Sequence, residues 1–179
     1  MGLPLSRQVA RKTFSPGLPM GEMVVLSDEL KKELNVAAME VFGSMYFTPV
    51  ELLAEVPARD SWRLEESYIK SVIGYDGPLR ATLAFYFPKT LGLSIASGFL
   101  GAEGEDLSQQ QLLDTMRESA NMIVGNFLGR IDPGGDCSLG IPSAELVHGF
   151  SPAEVGVQEG EVLAFVSDFG FLWVIVNAQ

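Results

Sequence analysis

The chain has 179 residues, 47% of them hydrophobic and 20% charged, so it is long enough to bury one sizeable core and is not a disordered chain. Its 23 acidic and 12 basic side chains give a net charge of −11, which repels a phosphate backbone and argues against nucleic-acid binding. A single cysteine excludes a disulfide framework, and no apolar run approaches the ~18 residues of a membrane span, so a cytoplasmic protein with no membrane contact is expected.

Residues 1–25 carry Pro4, Pro16 and Pro19, and Arg7, Arg11 and Lys12 against one acid, which reads as an N-terminal arm. Residues 26–179 are expected to form one domain. From Ser27 onward the pattern becomes helical. Ser27 is a plausible N-cap, Asp28 and Glu29 suit the positive end, and Leu30, Leu34, Ala37, Ala38, Val41, Phe42 and Met45 form an apolar stripe. Pro49 and Pro57 then break the chain.

Residues 66–75 and 79–87 are rich in β-branched and aromatic side chains, and Asp76-Gly77-Pro78 separates them, so a β-hairpin is expected. Pro88 opens a short helix that ends in glycines, with Pro88 placed at the first helical position. Residues 101–106 form a loop.

A second long helix is expected over 112–130. Leu112, Leu113, Met116, Ala120, Ile123, Val124 and Phe127 make its apolar stripe, and Asp114, Glu118, Asn121 and Gly125 fall on the opposite side. Residues 132–136 form a turn. Residues 138–147 read as a strand whose internal Pro142 suits an edge or a bulge rather than a central position. Residues 162–167 and 171–177 form a closing hairpin whose continuous apolar run predicts burial on both faces.

The order of helix, hairpin and short helix, then helix, strand and hairpin, suggests one unit used twice. The fold class expected is α+β: a pseudo-duplicated antiparallel sheet with two long helices packed on it.

One histidine and one cysteine cannot supply a zinc cluster. Gly92-Leu93-Ser94-Ile95-Ala96, with His148 as base, faintly resembles a nucleophile elbow, but its apolar helical setting favours core packing. The polar face of the second helix is more informative. Asn is a mediocre helix former and Gly125 costs about 1 kcal/mol relative to Ala, so both are locally unfavourable on an outward face. Such violations of local preference are candidates for function. A carboxylate and an amide three residues apart need no metal of their own to orient a water beside a labile phosphoryl group.

Asp114-x3-Glu118-x2-Asn121, followed by Met122-Ile123-Val124-Gly125-Asn126 and by Gly140-Ile141-Pro142, resembles the CheC/CheX family of chemotaxis phosphatases. The resemblance covers residues 27–178 and implies removal of the phosphoryl group from the aspartate of a CheY-like response regulator. By resemblance, Asn121 orients the attacking water and Glu118 bridges to the regulator's lysine. Asp114, Gly125 and Pro142 take supporting or docking roles. The resemblance further implies that Mg2+ comes from the regulator, that the chain has no cofactor of its own, and that it forms a homodimer. CheC carries two such helical motifs and CheX one. Gly43 stands where a first motif needs Asn, which makes the chain closer to CheX. The family usually leaves about two more residues between the Asn and the proline than the 20 found here. The competing expectation is a binding module of the flagellar-switch type, with the same fold and no turnover.

Overall fold

The computed structural model describes residues 10–12, 23–57, 67–102 and 106–178. Within the N-terminal arm, β1 (Ala10–Lys12) pairs antiparallel with β2 (Met23–Val25). The rest of the arm lies outside the described residues. So do Glu66, the first residue expected in the hairpin, and residues 103–105 of the expected loop.

The elements that follow are α1 (Asp28–Met45), β3 (Glu51–Leu52), β4 (Ser67–Asp76), β5 (Ala81–Pro88), α2 (Lys89–Leu100), α3 (Gln109–Ile131), β6 (Ser138–Leu139), β7 (Ser143–His148), α4 (Pro152–Glu159), β8 (Glu161–Ser167) and β9 (Gly170–Ala178). Strands β3–β9 form one antiparallel sheet in the order β3-β8-β9-β5-β4, with β6 and β7 both on the outer edge of β4. The order is symmetric about the β9–β5 pair. Each hairpin receives as its outer neighbour a strand that precedes the other hairpin: β3 goes to β8, and β7 to β4. This is the expected duplication, realised by exchange of strands between the halves.

Two signals start the long helices where they start. The Ser27 hydroxyl accepts from the Leu30 amide at 3.2 Å, and Ser108 forms a reciprocal capping box with Gln111. That box starts α3 three residues before the expected position. Pro88 lies at the N-cap of α2 and not inside the first turn, because it also closes β5. Gly101 ends α2 in the left-handed conformation, φ 63°.

The helices cover one face of the sheet. Leu34 and Phe42 of α1, and Met116, Ile123 and Phe127 of α3, are buried against Ile69, Leu83, Phe85, Phe87 and Val174. Met45, placed on the α1 stripe by its spacing, is instead 45% exposed because the helix ends there and turns away from the sheet. On the opposite face Phe150 stacks on Tyr86 at 3.8 Å and meets Tyr68 edge-on at 5.1 Å, beside the buried Trp173. The short helix α4, which the sequence pattern did not announce, lies on this side and contributes Val155. Strand β9 is buried from Leu172 to Val176, as its apolar run predicts.

The outer edge of β4 explains Pro142. Strands β6 and β7 follow one another along that edge, and residues 140–142 leave the ladder between them. The Gly140 amide donates to the Gly74 carbonyl at 2.8 Å, where an added Cβ would sit only 2.9 Å from the same oxygen. Pro142 thus occupies the break in the edge strand, where a missing N–H is tolerated.

Tyr75 on β4 is buried beside Phe127, with ring centroids 6.4 Å apart. Burial, aided by the neighbouring Cys137 charge, pushes its phenol from 10.0 up to about 12. The folded chain therefore holds this proton more tightly than the unfolded one. The contribution to stability is full below about pH 10 and is lost as pH rises towards about 12, on the order of 3 kcal/mol. Urea titrations at about pH 9 and about pH 12 are expected to show a smaller loss in Tyr75→Phe than in the unsubstituted chain. Equal losses would remove Tyr75 from the account.

Candidate functional site

Helices α1 and α3 run antiparallel, and their cross-connections give the register. Arg130 reaches Glu33 at 3.4 Å and Glu40 at 2.5 Å, Asn126 donates to Glu40 at 2.9 Å, and the Tyr46 hydroxyl meets Ser119 at 2.8 Å. The Ser119 hydroxyl itself donates to the Thr115 carbonyl, so Tyr46 is the donor to Ser119. Desolvation raises the Tyr46 phenol pKa, the bond to Ser119 opposes that rise, and the nearby Glu118 charge reinforces it.

Four residues expected on the outward face of α3 are indeed away from the sheet. Asp114 and Glu118 are exposed; Asn121 and Gly125 are half-buried. Their surroundings differ. Asp114 is ion-paired with Arg117 and accepts from Gln110 at 2.8 Å, so it is occupied locally. Among the described residues, neither the Glu118 carboxylate nor the Asn121 amide has a hydrogen-bond or ion-pair partner. Asn121 borders an open groove between α1 and α3, with Gly43, Ser44 and Met45 on one side and Met122, Gly125 and Leu139 on the other. Gly125 faces Leu139 of β6, whose methyl would lie 3.7 Å from an added Cβ. That is an ordinary van der Waals distance, so packing against β6 does not by itself require glycine here. Pro142 does not line the groove.

Pseudo-symmetry invites comparison of the two long helices. Glu40 occupies on α1 the place of Glu118 on α3, and Gly43 stands for Asn121. An Asn126 hydrogen bond and the Arg130 guanidinium hold the Glu40 carboxyl below the usual range. One half therefore presents an unpaired acid and amide, while the other has a neutralised acid and no amide. Nothing lies within 4 Å of a Cβ added at Gly43, so space alone does not exclude a larger residue there. The engagement of Glu40 escapes sequence reading because Arg130 is 90 residues away.

The elbow-like run Gly92–Ala96 lies within α2, where Gly92, Ile95 and Ala96 are buried. His148 pairs with Ser67 at 2.9 Å instead. Among the described residues no group of three or more His, Cys, Asp and Glu side chains is arranged to hold a metal ion, and no helix is long and apolar enough to cross a membrane.

The fold and this face define an α+β helix-on-sheet domain whose α3 carries an exposed carboxylate beside a half-buried carboxamide, both unengaged among the described residues. Residues 69–156, which include both side chains, match the family model of the chemotaxis phosphatase CheX. Among solved structures, the chemotaxis protein CheX from Vibrio vulnificus is similar at 18% identity and a TM-score of 0.66, over 84% of this chain and 97% of that one. CheX from Desulfovibrio desulfuricans is similar at 15% identity and 0.61, over 84% and 99%. A chain of the CheX–CheY–BeF3–Mg2+ complex from Borrelia burgdorferi is similar at 17% and 0.60, over 84% and 97%. No curated protein sequence matches. The chain is thus similar to the CheX family model over residues 69–156 and shares its fold with these CheX structures.

Proposed function

We propose that the chain is a phosphatase of a phosphorylated, CheY-like response regulator, working with Glu118 and Asn121 of α3 in the cytoplasm. The observation that carries this reading is the pair itself: an acid and an amide one helical turn apart, exposed or half-exposed, and unengaged among the described residues.

The receiver's phosphoaspartate is an acyl phosphate, and its hydrolysis needs a water in line with the P–O bond that breaks. Asn121 is too weakly basic to remove a proton, but its carboxamide can accept from and donate to a water and fix its direction. Water oxygen bonds to phosphorus, the aspartate carboxylate leaves, and the water's protons pass to the phosphate oxygens and solvent. Glu118 pairs with the lysine beside the phosphoryl group and sets the register of the two proteins. Positioning of this kind accounts for large accelerations without a covalent step. The Mg2+ ion is assigned to the receiver's own acids. Asp114, tied to Arg117 and Gln110, takes a supporting role by stiffening the first turns of α3. A homodimer and an arm–domain boundary near residue 25 belong to the same proposal.

The direct test is a panel of phosphorylated receiver domains, each followed for phosphate release with and without the chain. At least one receiver is expected to lose phosphate faster with the unsubstituted chain than with the Glu118→Ala/Asn121→Ala double variant. Equal rates on every receiver would sink the enzyme reading, and stable binding with an unchanged phosphate lifetime would identify a binding module.

A further inference from the structure

Phe47 follows the end of α1 in a backbone conformation that aromatic residues rarely adopt. Its φ is 51°, in the left-handed region, and its side chain is 87% exposed. At a helix end this conformation usually falls to glycine, because a Cβ there crowds the following carbonyl. Burial does not account for the phenylalanine, and backbone preference opposes it. Strained conformations of this kind cluster at ligand-contacting positions.

The surroundings give the position a direction. Phe47 follows Tyr46, whose hydroxyl meets Ser119 and whose ring meets Phe99 edge-on at 6.1 Å. Ser119 adjoins Glu118, so Phe47 stands at the Glu118 end of the pair. Met45, Phe99 and Leu100 are also substantially exposed. On a chain of net charge −11, this is an apolar rim next to a carboxylate that has no cation among the described residues. Contiguous exposed apolar surface edged by polar groups marks protein contacts, and aromatic anchors carry much of their energy.

We propose that Phe47 is the apolar anchor by which the chain docks its phosphorylated receiver, packing against apolar side chains beside the lysine that Glu118 engages. This rests on the reading of Glu118 and Asn121 above and adds to it the contact that governs affinity. The unpaired carboxylate selects the occupant of this face: it complements a lysine-bearing receiver and disfavours the acidic surface of a second copy here, so the proposed homodimer joins through another face.

Phe47→Gly and Phe47→Asn both suit the left-handed backbone while removing the aromatic surface. On the receiver turned over fastest, both are expected to raise KM at least about tenfold with kcat within about twofold, and to keep or raise the thermal midpoint. Affinity for the Mg2+-loaded, beryllofluoride-activated receiver should fall to the same degree, whereas Phe47→Tyr should retain it. Folded variants with unchanged KM, or with reduced kcat at unchanged KM, overturn the anchor and leave the phosphatase reading standing. A chain that dephosphorylates no receiver overturns both.

Discussion

Replacing Asn121 with Ala is expected to lower kcat for receiver dephosphorylation by about 100-fold, or ~2.7 kcal/mol of transition-state stabilisation. The reason is confined to one water. In the proposed mechanism, a receiver facing a chain without the amide still brings phosphoryl group, metal and lysine together, but the nucleophile has no fixed direction. Affinity for a beryllofluoride-activated receiver should change little, because one half-buried amide contributes little to the docked area. Stability should hold or rise by a few tenths of a kcal/mol, since Ala is the better helix former and Asn121 leaves no partner behind among the described residues. Glu118→Ala should behave differently, lowering affinity and rate together by about tenfold each, because in the proposed mechanism the acid both pairs with the receiver's lysine and sets the register. Phosphate release under single-turnover conditions, beside a binding titration, separates the two patterns. A full-rate Asn121→Ala protein would remove the amide from the mechanism.

The second large effect is structural. Phe42→Ala should destabilise the chain by about 4 kcal/mol, a substantial part of the 5–15 kcal/mol typical of a domain. Phe42 is completely buried, packs edge-on against Tyr46 at 5.8 Å and lies 6.4 Å from Phe87 of the sheet. Its carbonyl also receives the amides of Tyr46 and Thr48, which form the end of α1. Removing the ring empties the space under the last turn of α1 and loosens Tyr46 from Ser119, which adjoins Glu118. Urea denaturation measures the loss, and a change below about 1 kcal/mol would mean that the helix–sheet layer closes over the gap.

Much of this architecture was legible in the residues. Both long helices announce themselves by apolar spacing, the first also by its Ser27 cap, and the two hairpins by β-branched runs around turn residues; the Ser108 capping box of α3 was not among these signals. Pro142 locates the broken edge strand. Elements held by distant partners were not legible. Strand β3 has two residues and exists because Glu51 and Leu52 find Val166 and Phe165. Helix α4 is eight residues long and contains a glycine; it is stabilised by lying on the outer face of the sheet. At the site, periodicity brings Glu118 and Asn121 to one face of a helix. Periodicity cannot tell that Glu40 is neutralised by Arg130 while Glu118 is not, since that depends on the antiparallel register of α1 and α3. Nor does it reveal that α1 stops at Met45 and turns Phe47 into the open.

The exchange of outer strands between the two halves has a consequence for how the molecule comes into being. Neither hairpin is complete until the other half of the chain has delivered β3 or β7 to its open edge, so neither half has a finished sheet alone. Completing the sheet requires joining segments more than 70 residues apart, which carries a larger loop-closure entropy than either local hairpin. A nascent chain that has emerged only as far as α3 still exposes the edge of β4, and the face that carries Glu118 and Asn121 gains its final support when the last strands arrive.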